Sequence, residues 1–471
     1  MGAPLDTIIL GAGTAGLAAL REVRKRTDRY LIVNEGPWGT TCARVGCMPS
    51  KALIEAANAF HRRHVFEEFG LRGSEGLAAD IPAVLQRVRA LRDDFVQGAL
   101  EATEGLGAHA LSGRATLLGP RSVDIDGTAH ATRSIIIATG SRPTVPKEWL
   151  AFGGRMLTTD TLFDQPTLGP RIAVVGLGAV GVEIAQALAR LGLEVAAFTT
   201  GKTLAGLSDP AINAALAARL RQDLALHAGA KAELREVPGG IEVRSGHHRV
   251  VVDQVVAAMG RTPNTEHLGL DSLGVPLDER GLPAVDRQTL QVGDLPVFLA
   301  GDANAQVPVL HEAGDEGHIA GMNALAAVPA RFERRTPLSI VFSDPQVAAV
   351  GQRHRDLEAA HTVTGTVDFA DQGRARAAQR NHGRLNLYAH AGTGRLLGAE
   401  LCAPGGEHLA HLLALAVQQK LSVHGLLGMP FYHPVLEEGL RTALRDAARQ
   451  LPQAAQPDLA TCTAIGVAAL D

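Results

Sequence analysis

Two short stretches constrain this chain more than anything else in it. Residues 8–35 read "IILGAGTAGLAALREVRKRTDRYLIVNE" and residues 171–199 read "RIAVVGLGAVGVEIAQALARLGLEVAAFT". Each is an apolar run, a G-x-G-x-x-G turn, an alanine-rich helical segment and a second apolar run. Such a unit folds as strand, tight turn, helix and parallel strand, and its glycines have separate jobs. Gly11 and Gly176 allow the turn, Gly13 and Gly178 let backbone approach a pyrophosphate, and Gly16 and Gly181 let the helix lie against the strand. The free N–H groups of the helix start then face phosphate. Glu35 follows the second strand of the first unit, 22 residues after Gly13, where a carboxylate can accept from a ribose diol. The second unit ends in Thr199 and "TGK", with no acid; only Lys202 offers charge there. Two such units imply two nucleotide sites.

The rest of the chain is arranged around them. "SIIIATGSRP" (134–143) reads as a buried strand ending at Thr139 and Gly140, where backbone meets a cofactor, followed by prolines that stiffen a connection. A helix is expected over 95–110, a hairpin over 114–130 and a helix over 211–227. A buried strand and turn are expected in 251–265, and "LPVFLAGDANA" (295–305) is another strand ending at Gly301 and Asp302. Beyond about residue 335 the pattern becomes α+β, with strands in 337–351 and 384–390 and helices over 406–421 and 435–449. Past Pro452 the tail is alanine-rich and weakly patterned.

Composition narrows the class. A chain of 471 residues is too long for one ordinary core. With 45 basic and 49 acidic residues it has no charge bias toward nucleic acid or an anionic membrane. No apolar stretch reaches the roughly 18 residues of a membrane span. The opening "MGAPLDTIILGAG" lacks a basic region before its apolar run, so a cytoplasmic protein is expected.

Four cysteines are too few for a disulfide scaffold. Two of them, Cys42 and Cys47, are separated only by "ARVG". Pro49 suits the first turn of a helix that continues through "SKALIEAANAF", with Leu53, Ala56, Ala57 and Phe60 on one face. About one turn of chain brings the two thiols within disulfide range, and Cys47 lies at a helix start, where amide dipoles favour thiolate. No second cysteine or histidine pair lies near at zinc-ligand spacing, and no metal is expected. A dithiol that cycles with a disulfide needs a proton carrier. "FYHPVLEEGL" (431–440) offers His433, with Glu437 or Glu438 to orient it. Cys402 reads as core, and Cys462 as a bystander in the tail.

Taken together, these motifs resemble the class I FAD-dependent pyridine nucleotide–disulfide oxidoreductases, most closely their dihydrolipoamide dehydrogenase branch. Glutathione and mercuric reductases are relatives. The pattern GGTCxxxGCxPSK stands here as "GTTCARVGCMPSK". The resemblance implies that Cys42 is the interchange thiol and Cys47 the thiol beside the flavin. It makes Lys51 the lysine near the flavin and Glu183 its acid partner. It assigns Gly11, Gly13, Gly16 and Glu35 to FAD, and Gly301 and Asp302 to the flavin side. "GRTPN" (Gly260, Arg261) matches a cofactor segment, and "LHEAGDEG", with His311 and Glu316, matches the segment over the flavin ring. His433 and Glu438 match a His–Glu dyad that serves the other subunit of a homodimer, which selects Glu438 over Glu437.

The implied fold is α/β, with two Rossmann-like nucleotide-binding domains, a central segment and a C-terminal α+β dimerisation domain. The division is 1–150 for FAD, 151–284 for NAD(P), 285–335 for the central segment and 336–471 for the interface domain with the tail. The implied cofactors are FAD and NAD, since no arginine clamp for a 2′-phosphate is present, with NADP not excluded because Thr199 replaces the usual acid. The implied substrate is dihydrolipoamide or a lipoyl-bearing protein. Alternatives are an NAD(P)H-dependent reductase of a small disulfide and a structural or regulatory flavoprotein subunit. Trp38 stands where the family has glycine, Val435 replaces a threonine of the dyad motif, and the vicinal cysteine tail of mercuric reductases is missing.

Overall fold

Ile8, Ile9 and Leu10, and Ile135, Ile136 and Ile137, are apolar at successive positions, so both faces of each strand must be covered, as in a parallel sheet flanked by helices. The computed structural model, which describes residues 3–452, has them so. Cys462 and the tail lie outside the described residues. Strand Leu5–Leu10 pairs in parallel with Tyr30–Asn34 on one side and Thr128–Ile137 on the other. Ala110–Ser112 and Val297–Leu299 extend the sheet at either side. All six isoleucines and leucines named above are at most 1% exposed. The expected hairpin is present as Ala115–Gly119 and Ser122–Ile125. Its partner is the outer half of Thr128–Ile137, one long strand that serves both an antiparallel meander and the parallel sheet.

The second unit repeats the plan. Arg171–Val175 is flanked in parallel by Glu194–Thr199 and Gln254–Ala257, with Ala225–Ala228 and Met156–Leu157 outside them. A third, antiparallel sheet of five strands (Leu338–Val341, Gln346–Gly351, Leu396–Ala403, Arg384–His390, Thr362–Asp368) carries helices Gly406–Gln418 and Glu437–Ala448. Cys402 is fully buried in it.

Three expected elements differ. The helix expected over 95–110 is Ile81–Glu104. Asp80 caps its start, accepting from the Ala83 N–H at 3.1 Å, and Pro82 fills the first turn. Leu85 and Val88 bury its inner face. The helix expected over 211–227 stops at Asp223, because Ala225–Ala228 pairs with the open edge of Glu194–Thr199. The run 251–265 is not one strand. It divides at Asp253 between His248–Val252 of a separate meander and Gln254–Ala257 of the parallel sheet, and Arg171 holds Asp253 at the break.

One packing choice positions everything that follows. Leu53, Ile54 and Ala57 of helix Cys47–His61 share a buried cluster with Val182, Ile184 and Ala185 of the second fingerprint helix, Ala179–Arg190. Val341 and Val347 of the third sheet join the same cluster. Three distant segments therefore meet behind the thiol pair.

Candidate active site

The thiol pair is built by two short devices. Thr40 caps the turn Thr41–Arg44, its hydroxyl accepting from the Ala43 N–H at 3.2 Å. Gly46 then precedes helix Cys47–His61, which starts at Cys47 itself. Cys42 is half-buried, Cys47 is exposed, and both are free thiols in hydrogen-bond contact. The bond from Cys42 lowers the Cys47 pKa to about 7 against the opposing effect of burial, with help from the Lys51 charge and from the Cys47 backbone N–H. The same contact, with burial, pushes the Cys42 thiol up. One thiol of the pair is thus poised as thiolate and the other held as thiol.

Lys51, one helical turn after Cys47, reaches across to the second unit. Its Nζ lies 2.9 and 3.1 Å from the two oxygens of Glu183, whose side chain is 6% exposed. The Phe342 N–H donates to the same carboxylate at 2.9 Å, and the Phe342 ring centre lies 4.4 Å from Lys51 Nζ. Ser50 donates to the Cys47 carbonyl at 3.0 Å and secures the first turn.

A cleft of about 450 Å³ opens at the carboxyl ends of the first sheet, lined by Gly11, Glu35, Arg114, Thr139, Arg142 and His267 among others. Its residues fit the dinucleotide that the motif calls for. A Cβ on Gly13 would enter open space, and the buried Thr139 Oγ1 has no hydrogen-bond partner. The Ala12 N–H donates to the Asn34 side chain at 3.0 Å and fixes the turn. Neighbouring segments are tied to one another rather than left loose. Asn264 donates to the Thr139 and Gly140 carbonyls at 3.1 and 2.9 Å, and the Gly260 carbonyl accepts from the Thr144 N–H at 3.0 Å. Arg261 donates to Ser141, whose hydroxyl donates to Asp302 at 2.6 Å. The Gly301 N–H donates at 2.6 Å to Glu316, which Arg334 and Asn304 also bind; burial raises the Glu316 pKa. His311 is half-exposed at the start of helix Leu310–Asn323.

In the second unit Gly176, Gly178 and Gly181 repeat the turn. Thr199 ends its strand, with its carbonyl accepting from the Gly229 N–H at 2.9 Å, and Lys202 is exposed just beyond. His433 stands apart. Its Nδ1 is 3.0 Å from Glu438 Oε1, while Glu438 Oε2 accepts from the Val435 N–H at 3.2 Å. The bond from His433 holds the Glu438 carboxyl below its ordinary pKa. The His433 side chain is 80% exposed, and among the described residues no hydrogen bond joins it to either thiol. Between the two glutamates that spacing left open, the geometry has Glu438.

Phe342, Arg334, Arg114 and His267 escaped the sequence reading. Phe342 lies in an apolar run with no polar signal, and Arg334 in a basic pair like many surface pairs. Within the thiol motif the residue that replaces a glycine is Thr40, at φ +51°, and not Trp38 just before it; Trp38 donates from Nε1 to the Ser112 hydroxyl at 2.9 Å, beside the residues that line the cleft.

Comparisons with known proteins agree with this layout. Residues 5–317 match the family described as pyridine nucleotide-disulphide oxidoreductase, and residues 338–444 match its dimerisation domain. A dihydrolipoyl dehydrogenase of Thermus scotoductus is 32% identical, over 94% of this chain and 98% of its own. A mercuric reductase of Acidithiobacillus ferrooxidans is 30% identical, over 96% of this chain and 84% of its own. The solved HOCl-induced flavoprotein disulfide reductase RclA of Escherichia coli, as its Cu(II) complex, superposes with a TM-score of 0.81 at 21% identity, over 94% of this chain and 99% of that one.

Proposed function

Since the chain belongs to the pyridine nucleotide–disulphide oxidoreductases, a family that works with FAD and a pyridine nucleotide, we propose that it oxidises a dihydrolipoamide-type dithiol with NAD⁺ as acceptor. The observation that carries this reading is the Cys42–Cys47 contact at a helix start, with the Lys51–Glu183 pair behind it. Gly11, Gly13, Gly16, Glu35, Thr139, Gly140, Gly301 and Asp302 would hold FAD, with Arg261 steadying Asp302 and His311 nearby. Gly176, Gly178, Gly181 and Thr199 would hold the nicotinamide dinucleotide, near Gly260. FAD, when bound, supplies the two-electron exchange between the thiol pair and the nicotinamide.

The chain's own residues carry the thiol chemistry. His433 Nε2 takes the proton of the first substrate thiol, while Glu438 fixes the ring through Nδ1. The substrate thiolate attacks Cys42 Sγ, the Cys42–Cys47 bond breaks, and Cys47 leaves as thiolate. The second substrate thiolate then attacks its own mixed disulfide sulfur. It displaces Cys42, which takes up the proton held on His433, and His433 in turn keeps the proton that the second substrate thiol gives up, while Cys47 stays thiolate. The substrate leaves as disulfide, two electrons poorer, and the pair holds them as dithiol. The match at 338–444 and the exposure of His433 support a homodimer in which His433 of one chain serves the thiols of the other. The working division of the chain is 1–150, 151–284, 285–335 and 336–471. None of the described helices is long and apolar enough to cross a membrane, and a cytoplasmic setting suits a reduced thiol pair.

A second reading, reduction of a small disulfide by NAD(P)H, is favoured by Thr199 in place of an acid. Anaerobic stopped-flow absorbance decides between them, with dihydrolipoamide in one syringe and NADH or NADPH in another. Rapid flavin reduction by dihydrolipoamide and reoxidation by NAD⁺ is the expected result. An inert dithiol alongside fast reduction by NADPH moves the assignment to the second reading.

A further inference from the structure

We propose that Phe342 is a positioning residue for the thiol pair, its ring and backbone N–H together holding Lys51 and Glu183 in place beside Cys47. The inference rests on the reading of Cys42 and Cys47 as the redox pair. Phe342 is the first residue after strand Leu338–Val341, in the part of the chain that matches the dimerisation domain. Lys51 and Glu183 belong to the part that matches the oxidoreductase domain. The contact therefore crosses between parts of the chain.

Two separate bonds make the clamp. The Phe342 N–H donates to Glu183 Oε1 at 2.9 Å and gives a buried carboxylate a partner besides Lys51. The ring centre, 4.4 Å from Lys51 Nζ, is within reach of a cation–π contact. The ammonium has three protons. Glu183 engages it at 2.9 and 3.1 Å and Ser50 Oγ more loosely at 3.4 Å, so the ring walls one side of it.

The consequence for Cys47 follows from sign and distance. The groups that bear on its thiol are Cys42, Lys51 and Glu183. The Lys51 cation favours thiolate and the Glu183 anion opposes it. Glu183 is fixed by a backbone N–H that leucine, methionine or tyrosine at 342 retains. Lys51 sits on a flexible stem and is only half-buried. Without the ring, Lys51 gains freedom toward solvent while Glu183 stays, and the balance at Cys47 shifts toward thiol.

The test is a pH titration of thiolate absorbance in reduced holoenzyme carrying Cys42→Ser. The serine hydroxyl still donates to Cys47. Subtracting the profile of the Cys42→Ser/Cys47→Ser protein isolates Cys47 from the remaining cysteines. Phe342→Leu is expected to raise the Cys47 midpoint by roughly half a unit, about threefold less thiolate at a fixed pH below it. Phe342→Tyr, which keeps the ring, is expected to leave the midpoint in place. With Lys51→Met already present, Phe342→Leu is expected to add nothing. Should leucine prevent folding, Phe342→Met poses the same question with similar volume. A midpoint that moves with Lys51→Met but not with Phe342→Leu or Phe342→Met overturns the inference alone. A Cys47 that titrates no lower than an ordinary thiol overturns the reading beneath it as well.

Discussion

A Cβ built on Gly16 would fall 1.9 Å from the Gly11 carbonyl oxygen, and one on Gly181 would fall 1.8 Å from that of Gly176. Gly11 and Gly176 take φ of +102° and +96°, and a Cβ on either would meet a carbonyl oxygen just past a neighbouring strand, that of Ala138 or Ala258. Gly13 and Gly178 both open onto free space. At the level of backbone, the two nucleotide units are one device used twice. They part company at the end of the next strand: the turn glycine bonds to the Val33 carbonyl in one and the Phe198 carbonyl in the other, so Asn34 and Glu35, on the wall of a cleft, stand against Thr199 and Thr200. The lesson is a division of labour. In the proposed function the glycines would make room for a pyrophosphate common to every dinucleotide, and the strand end would decide which dinucleotide is preferred.

The largest effect should come from breaking the shared device on one side at a time. Gly16→Ala forces a methyl against a backbone oxygen that cannot move aside, at a cost of about 3 kcal/mol. We expect purified Gly16→Ala to lose bound flavin and melt earlier, measured by flavin absorbance per chain and by thermal unfolding. Gly181→Ala carries the same clash in the other unit. It should keep flavin reducible by dithiol and lose turnover with the pyridine nucleotide. Equal flavin loss in both variants would break the comparison, because the two units would then be one cooperative site.

A middle-sized effect tests the strand end of the first unit. Glu35→Ala removes one charged acceptor and leaves the turn intact, a loss of about 2 kcal/mol or roughly thirtyfold in flavin affinity. Ultrafiltration of holoenzyme at falling concentration would measure it. Flavin retention unchanged by Glu35→Ala would place the ribose contact elsewhere in the cleft, with Arg114 or His267 the next residues to change.

What the sequence made legible follows the same division. The glycine turns are local, since sterics within six residues dictate them, and strands and helices next to them fell where the pattern put them. Helix Ile81–Glu104 was misplaced because its start depends on the Asp80 cap and its length on burial of Leu85 and Val88 against another segment. Lys51 and Glu183 are 132 residues apart, and only the family resemblance paired them in advance. Nothing in "LSIVFSDP" marks Phe342, because its partners come from two other segments that only the folded packing assembles. Thr139 was legible as a strand end, yet its unpartnered hydroxyl is a fact of the fold alone.

The smallest expected effect sharpens the comparison most. Thr199→Glu gives the second unit a carboxylate at its strand end, one position before the counterpart of Glu35 in the first. The backbone around it needs no change, since Thr199 holds its strand through its carbonyl, which accepts from the Gly229 N–H. A carboxylate there accepts from a ribose diol and repels a 2′-phosphate, so the substitution acts on the difference between two affinities. We expect the ratio of kcat/KM for NADH over NADPH to rise about tenfold, equivalent to about 1.4 kcal/mol. Lys202→Ala should lower NADPH use alone and by less, because one exposed ammonium on a phosphate is worth about 1 kcal/mol or less. If Thr199→Glu leaves the ratio unmoved, the strand end of the second unit does not touch the ribose. The two units would then be alike only in their glycines.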